Sequence, residues 1–288
     1  MRISRRLAVV LVLPLSLLLI VGGLVPSGIL FVYSFYDYSL FQIYRGFHTT
    51  WYREIFSNPV YRTVTWNTLA IAVPTVIATV VGGYTIAYYL AFKARRSRTP
   101  IFALVVLSML ASYLARIYAW RTLMGGNGIV NSTLIAAGVI HQPISWLIFS
   151  RVPVILAEVN LYLPIATLIL FASLSGIPPE LEEAARDLGA GRAQALRRVI
   201  IPPSGAALLG ASALCFFLSA GDYVTPAFLG GVASSQTLGT TIATVIQTEG
   251  NYPLGSALSF GMLLVFAIYA AVLFVSLRAA HFLPRRAR

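Results

Sequence analysis

Long apolar runs dominate the sequence and leave little choice of fold. Six stretches are predominantly apolar, each close to the roughly 20 residues that a helix needs to cross a bilayer. Only 10% of the residues are charged, whereas a soluble globular domain carries about 25%. The sequence therefore predicts an all-α integral membrane protein with six transmembrane helices. They are predicted at residues 7–33, 66–92, 101–123, 152–174, 205–221 and 256–280.

The first apolar stretch resembles a secretory signal, because Arg2, Arg5 and Arg6 precede it. The apolar region of such a signal is only about 7–15 residues long. Here the apolar sequence runs from Leu7 past Pro26. We therefore predict that this stretch is a retained transmembrane helix.

Basic residues are concentrated in alternate segments between the apolar stretches. Cytoplasmic segments of membrane proteins are enriched in Lys and Arg, and the long segment 221–255 contains neither. Both termini are therefore predicted to be cytoplasmic, and the formal net charge of +12 reflects membrane sidedness rather than a nucleic-acid partner. The basic residues in these segments are Arg2, Arg5, Arg6, Lys93, Arg95, Arg96, Arg98, Arg186, Arg192, Arg197, Arg198, Arg278, Arg285, Arg286 and Arg288.

Residues suited to catalysis are scarce. The only lysine, Lys93, is followed by Ala94, so the chain has no phosphate-binding loop of the Gly-x4-Gly-Lys-Ser/Thr type. His48, His141 and His281 lie in three separate segments without the spacing of metal ligands. We predict a transport component with no catalytic residues, no metal site and no cofactor of its own.

The segment between the fourth and fifth apolar stretches carries the pattern of a short amphipathic helix. Pro178 and Pro179 suit a helix start, and Gly189 suits a helix end in the left-handed conformation. Acids in the first turn favour the positive end of the helix dipole and disfavour contact with the anionic cytoplasmic leaflet. The pattern therefore predicts docking on a partner protein rather than on lipid. The apolar stripe consists of Leu181, Ala184, Ala185 and Leu188, and the acids are Glu180, Glu182 and Glu183.

A second short helix is predicted from about Arg192 to Ile201. Pro202 and Pro203 follow it directly. Because proline removes a backbone donor and disfavours helix interiors, the prediction ends the helix at this pair.

The same segment resembles the EAA-x3-G-x9-I-x-L-P signature of permease subunits of binding-protein-dependent ABC importers. Two positions depart from it conservatively, with Val for Ile and Ile for Leu. The resemblance implies a single MetI-like transmembrane permease domain over residues 1–288, with a cytoplasmic coupling loop at about 175–204. It further implies that this loop inserts into a groove of a separate ATPase subunit, where ATP and Mg bind. The matching residues are Glu183, Ala184, Ala185, Gly189, Val199, Ile201 and Pro202.

Four further segments resemble the B-type permeases of spermidine/putrescine transport. The resemblance implies a polyamine substrate, a homologous permease partner, two ATP-binding subunits and a periplasmic binding protein, all at a bacterial inner membrane. Two alternatives stay open: the same mechanism with an amino-acid derivative, a phosphonate or ferric ion, and a secondary transporter driven by an ion gradient. The segments are Arg116 to Trp120, Asn127 to Asn131, Tyr162 to Pro164, and Gly221 to Gly231.

Glu158 is the first candidate for the substrate pathway. A charged residue within a membrane is costly and usually lines a cavity or pairs with another charge. Glu158 and Tyr162 are four residues apart and share a helix face, where a carboxylate and an aromatic ring suit an ammonium group. The alternative is a structural bridge from Glu158 to Arg116 or Arg151.

Asp222, Tyr118 and Trp120 complete the predicted pathway. Asp222 begins an outer segment that has no basic residue, which favours a carboxylate at the outer mouth that attracts a polycation. The alternative is that Asp222 makes turn hydrogen bonds. Tyr118 and Trp120 are predicted to form one wall of the cavity, with an interfacial position as the alternative.

Overall fold

The computed structural model describes residues 13–14, 16–94 and 96–282. The predicted start of the first helix at residues 7–12, Arg95 and the C-terminal Arg285, Arg286 and Arg288 lie outside the described residues. The helices are Ser16–Tyr33, Thr50–Ser57, Pro59–Lys93, Arg98–Leu110, Tyr113–Met124, Ile129–Ala136, Arg151–Leu174, Glu180–Asp187, Arg192–Gly221, Val224–Leu229, Val232–Ser235, Leu238–Gln247 and Tyr252–Ala279. A two-stranded antiparallel hairpin, β1 (Asp37–Ser39) and β2 (Gln42–Tyr44), pairs Asp37 with Tyr44.

Five helices of the described chain are long and apolar enough to cross a membrane, and one bent pair makes a sixth crossing. The predicted multi-pass helical protein is therefore confirmed. The helix predicted at residues 66–92 begins earlier, at Pro59. Residues 59–65 include Arg62, Thr63 and Thr65, so apolar length alone did not include them in the prediction. We refer to the six crossings in chain order as the first to the sixth span.

The third span is not the continuous helix predicted at 101–123. It consists of Arg98–Leu110 and a second helical part that begins at Tyr113, and the two are bent by 95°. Ala111 and Ser112 between them have extended backbone, with ψ of 134° and 136°. Neither proline nor glycine marks this break, so hydropathy alone could not locate it.

The predicted helix end at Pro202 and Pro203 is wrong. The fifth span runs without interruption from Arg192 to Gly221, through a π-helical turn at Leu196–Ile200. Both prolines fall at the first positions of the α-helical part that follows this turn. At such positions the missing N–H and the fixed φ of proline are compatible with a helix.

Backbone contacts divide the described residues into two compact units: those within 1–62 and 241–264, and those within 63–240 and 265–288. In the second unit, the second, fourth and fifth spans pack through small side chains such as Ala72, Ala166 and Ala220, all buried. Small residues allow helices in a membrane to approach closely. Phe216 of the same core stacks on Tyr269, with ring centroids 3.6 Å apart.

In the first unit, aromatic side chains connect the hairpin region to its neighbours. The Tyr38 hydroxyl donates to the carbonyl of Glu249 at 2.8 Å. Tyr52 donates to the hydroxyl of Ser34 at 2.8 Å, and the Phe35 ring stacks on another ring of the same segment. This part of the chain is therefore folded rather than a simple linker.

Candidate translocation and coupling sites

Glu158 lies in the middle of the fourth span and is completely buried. Its Oε2 accepts hydrogen bonds from Thr75 of the second span, at 3.3 Å, and from Ser219 of the fifth span. Its Oε1 has no hydrogen-bond partner among the described residues. The carboxyl group is therefore held between three spans by neutral hydroxyl groups.

Neither predicted arginine partner reaches Glu158. Arg151 donates instead to Asn67 Oδ1 at 2.6 Å and to the carbonyl of Ser234 at 2.7 Å. Arg116 donates to backbone carbonyls of the third span. Within the described chain, the structure therefore contains no bridge between Glu158 and an arginine.

Asp222 follows the last residue of the fifth span and is only 8% exposed. Its Oδ1 accepts from the backbone N–H groups of Val224 at 2.9 Å and Thr225 at 3.1 Å. These bonds satisfy donors at the start of helix Val224–Leu229, as an N-terminal cap does. The turn hydrogen bonds considered for Asp222 are thus present, and the carboxylate is not open to solvent in this conformation.

Two tyrosines connect Asp222 to other spans. Tyr162 of the fourth span donates to Oδ2 of Asp222 at 3.2 Å, and Tyr113 of the third span donates to Oδ1 at 2.7 Å. Thr225 adds a third hydroxyl donor. Because Tyr162 lies one helical turn after Glu158, the two acids belong to one buried polar cluster formed by the second, third, fourth and fifth spans.

Sequence reasoning found only part of this cluster. It identified Glu158, Tyr162 and Asp222 but not Thr75, Ser219, Thr225 and Tyr113. Thr225 lies in the same Gly221 to Gly231 segment as Asp222, and this shared segment could have identified it from the sequence. Tyr113 gave none, because its position depends on the break in the third span.

Tyr118 and Trp120 both lie on helix Tyr113–Met124 of the third span. They are two residues apart on a helix, so their side chains point in different directions. Tyr118 is half exposed and packs its ring edge against Phe228, with centroids 5.4 Å apart. Trp120 packs against a buried group that includes Ile117. No hydrogen bond or ring contact of the described chain joins either residue to the acids, and their role in a pathway stays a prediction.

A cleft of about 410 Å³ opens between the second, third and fourth spans. Its walls are mostly apolar, and its polar members are Ser108, Arg116, Asn160 and Thr167. Pro164, which lies inside the helix of the fourth span, also lines the cleft. Neither Glu158 nor Asp222 lines this cleft, so the buried acids do not open into it.

The predicted coupling helix is present as Glu180–Asp187, directly after Pro179. Gly189 follows with φ of +87°, in the left-handed region predicted for it. Leu188 is 90% exposed and Leu181 is 46% exposed, and Ala184 is exposed as well. The apolar stripe of the helix is therefore uncovered in this chain, as a docking face requires.

The C-terminal half of the signature lies on the fifth span. Val199 is partly buried beside a core formed by Leu174, Ile177 and Ile200. Ile201 and Pro202 are also partly buried. The signature therefore joins an exposed helix to the beginning of a transmembrane span that is anchored in the core.

Comparison with known proteins decides the family. Residues 83–288 match the family described as binding-protein-dependent transport system inner membrane component. The chain belongs to this family. It is a permease subunit of an ABC importer, a membrane component rather than an enzyme.

Individual relatives agree with this assignment. The chain is 32% identical over 235 residues to the spermidine/putrescine transport system permease protein PotB of Haemophilus influenzae, which covers 82% of this chain and 80% of the relative. It is 28% identical to PotB of Escherichia coli over 229 residues, covering 80% and 82%. A bacterial alginate ABC transporter, solved in complex with an alginate pentasaccharide-bound periplasmic protein, has the same fold, with a TM-score of 0.72, 16% identity, and 96% and 95% of the two chains covered.

Proposed function

We propose that this permease subunit forms a pathway for a polyamine such as spermidine or putrescine. The similarity to PotB permeases over about four fifths of the chain carries the proposal. The buried cluster supports it, because Glu158 and Asp222 supply two carboxyl groups without a basic partner in the described chain. A polyamine carries several ammonium groups that need acceptors and aromatic rings once they lose water.

We also propose the assembly in which this subunit works. It would pair with a homologous permease, receive the solute from a periplasmic binding protein and rest on two ATP-binding subunits. The exposed stripe of helix Glu180–Asp187 suits docking in a groove of an ATPase. ATP and Mg would bind to those subunits.

The connections of the coupling helix suggest how ATPase motion reaches the pathway. Helix Glu180–Asp187 lies between the fourth span, which ends at Leu174, and the fifth span, which begins at Arg192. The acids and tyrosines lie on these same spans and on the third. Displacement of the coupling helix would therefore shift the fourth and fifth spans relative to each other, changing the contacts between Tyr162 and Asp222 and opening the cluster to one side of the membrane.

The decisive experiment identifies the solute that the cognate binding protein retains and then measures its uptake. The binding protein is purified natively, and its ligand is identified by mass spectrometry. We expect spermidine or putrescine, and ATP-dependent uptake of the same polyamine into proteoliposomes that contain the assembled transporter. Retention of an amino-acid derivative, a phosphonate or ferric ion, with no polyamine uptake, would refute the substrate and leave the permease role intact.

A further inference from the structure

An ion pair connects the coupling helix to the second span. Lys93 Nζ, at the end of the second span, donates to Oε1 of Glu182 at 3.1 Å. The hydroxyl group of Tyr88, on the same span, donates to Oε2 of Glu182 at 2.8 Å. Each carboxylate oxygen of Glu182 thus has its own donor. The pair of Lys93 and Glu182 is the one ion pair among the described residues.

Burial distinguishes Glu182 from the other acids of its helix. Glu182 is 6% exposed, whereas Glu180 and Glu183 are exposed. A carboxylate is rarely buried unless it is paired. The first turn of the coupling helix therefore turns one acid inward to the second span and leaves the other two outward.

The end of the second span has a geometry that suits this contact. Its last turn, Tyr89–Lys93, is π-helical, and the N–H of Ala94 closes it by donating to the carbonyl of Tyr89 at 2.8 Å. Lys93 Nζ lies 5.9 Å from the centre of the Tyr88 ring. Tyr88 itself packs in the apolar group that includes Leu174, so the donors to Glu182 are fixed to the membrane-embedded part of the chain.

We propose that Glu182, Lys93 and Tyr88 form a latch that makes the second span move with the coupling helix. The peptide chain already connects that helix to the fourth and fifth spans, and the latch adds the second span, which contributes Thr75 to the buried acid cluster. In this inference, which rests on the proposed coupling role of helix Glu180–Asp187, Glu182 and Lys93 are positioning residues. They hold the helix in the orientation from which ATPase closure drives the spans.

The test uses the complete transporter in proteoliposomes, with spermidine-loaded and spermidine-free binding protein. The variants are Glu182→Gln, Lys93→Gln, the milder Tyr88→Phe and the double exchange Lys93→Glu with Glu182→Lys. Glu180→Gln is the matched control for the acid, because it lies exposed on the same turn. Two quantities are measured: stimulation of ATPase activity by the loaded binding protein, and backbone hydrogen exchange of residues 180–187.

We expect stimulation to fall about two- to fivefold in Glu182→Gln and Lys93→Gln, the range for one partly exposed ion pair. Exchange at residues 180–187 should rise in both and return toward the wild-type rate in the double exchange. It should rise less in Glu180→Gln, which loses only the interaction of an acid with the helix dipole. Tyr88→Phe should show a smaller effect in the same direction, which keeps the test valid if a charge variant does not assemble.

Two results would overturn the latch. One is unchanged exchange at residues 180–187 in Glu182→Gln, Lys93→Gln and Tyr88→Phe. The other is faster exchange with wild-type stimulation, because the contact would then hold the helix without contributing to coupling. If spermidine-loaded binding protein does not stimulate even the wild type, the polyamine proposal fails, and the exchange rates still decide whether the latch exists.

Discussion

The hydroxyl oxygen of Tyr162 lies 3.2 Å from Oδ2 of Asp222, so a side chain of the fourth span contacts the residue that directly follows the fifth span. Glu158 lies one turn earlier on the same helix and is bonded to the second and fifth spans. Rearrangement of any of these spans would therefore change the surroundings of both acids. Because the hydrogen-bond partners of Glu158 are neutral hydroxyl groups, a mutation can remove its charge and leave its packing in place.

Glu158→Gln should lower polyamine uptake about tenfold, equivalent to about 1.4 kcal/mol of lost interaction. Glutamine has nearly the same shape and keeps an oxygen that accepts from Thr75 and Ser219, and no described basic residue loses a partner. Assembly and thermal stability should therefore stay at the wild-type level. Uptake and stability are measured on the same reconstituted complex.

Glu249→Gln is the control for that change, because Glu249 is an exposed acid between helix Leu238–Gln247 and the sixth span. Unchanged uptake in both Glu158→Gln and Asp222→Asn would remove the two acids from the pathway. Lost stability in Glu158→Gln, with normal uptake in the remaining intact complexes, would instead assign Glu158 a structural role.

Gly189→Ala should weaken coupling. Gly189 has φ of +87°, and an alanine in the left-handed region costs about 1–2 kcal/mol, so the end of the coupling helix would shift. Gly191→Ala is a close control, because Gly191 has φ of −65° and open space around its Cα. We expect the binding protein to stimulate ATPase activity less in Gly189→Ala, and normally in Gly191→Ala. Equal stimulation in both variants would contradict a role for this helix end.

The coupling helix was predictable because its signals are local. Pro179, the acids of the first turn and Gly189 each follow from rules for helix ends, and the structure confirms all of them. The inward turn of Glu182 was not predictable, because its partner Lys93 is 89 residues away in sequence. Periodicity ranks the three acids of the turn as equivalent, and only the packed structure separates them.

The membrane spans show the same division between local and distant causes. Apolar length located all six crossings, but it could not show the break at Ala111 and Ser112, which contains neither proline nor glycine. It also could not show that Pro202 would lie at the start of an α-helical part, because that depends on the π-helical turn before it. Hydropathy indicates which segments lie in the membrane, but it does not show whether a segment is one continuous helix.

Acid should remove the contribution of Glu182 to stability. Burial alone would raise the pKa of Glu182, but hydrogen bonds from Tyr88 and Lys93 and the charges of Lys93 and Arg186 outweigh it, so the pKa is lowered. A lowered pKa in the folded state stabilises the protein above the unfolded pKa, about 4.3 for Glu, and this contribution is lost as the pH falls through the folded pKa.

The thermal unfolding temperatures of wild type and Glu182→Gln should therefore differ by a constant amount from pH 8 down to about pH 5. The difference should shrink only in more acidic solution. Unfolding is followed in detergent for both proteins across this range. A difference that already disappears between pH 7 and pH 6 would mean that the pKa of Glu182 is raised, contrary to the paired geometry.

The isolated subunit should not bind ATP, because the sequence has no phosphate-binding loop. Purified chain without its partners is titrated with a fluorescent ATP analogue, and we expect no saturable binding. The assembled transporter serves as the positive control. Saturable binding to the isolated chain at micromolar concentration would contradict the assignment of ATP to separate subunits.

Arg116→Gln should lower the stability of the protein, because it removes hydrogen bonds at the bend in the third span. The Arg116 guanidinium donates to the carbonyls of Ser108 and Ala111, the latter at 3.0 Å. These carbonyls lie at the end of helix Arg98–Leu110, where a positive charge also interacts favourably with the helix dipole. Glutamine is shorter and neutral, so we expect a loss of about 1.5–3 kcal/mol in stability, the range for hydrogen bonds that involve a charged group.

Arg121→Gln is the matched control, since Arg121 is an exposed arginine on the same part of the span. The midpoint of thermal unfolding of the purified complex should be lower in Arg116→Gln than in wild type. It should be unchanged in Arg121→Gln. Because Tyr113 lies directly after the break and contacts Asp222, uptake should fall together with stability. Equal midpoints for the two variants would show that the bend is held by packing alone and that Arg116 is free for another role in the cleft.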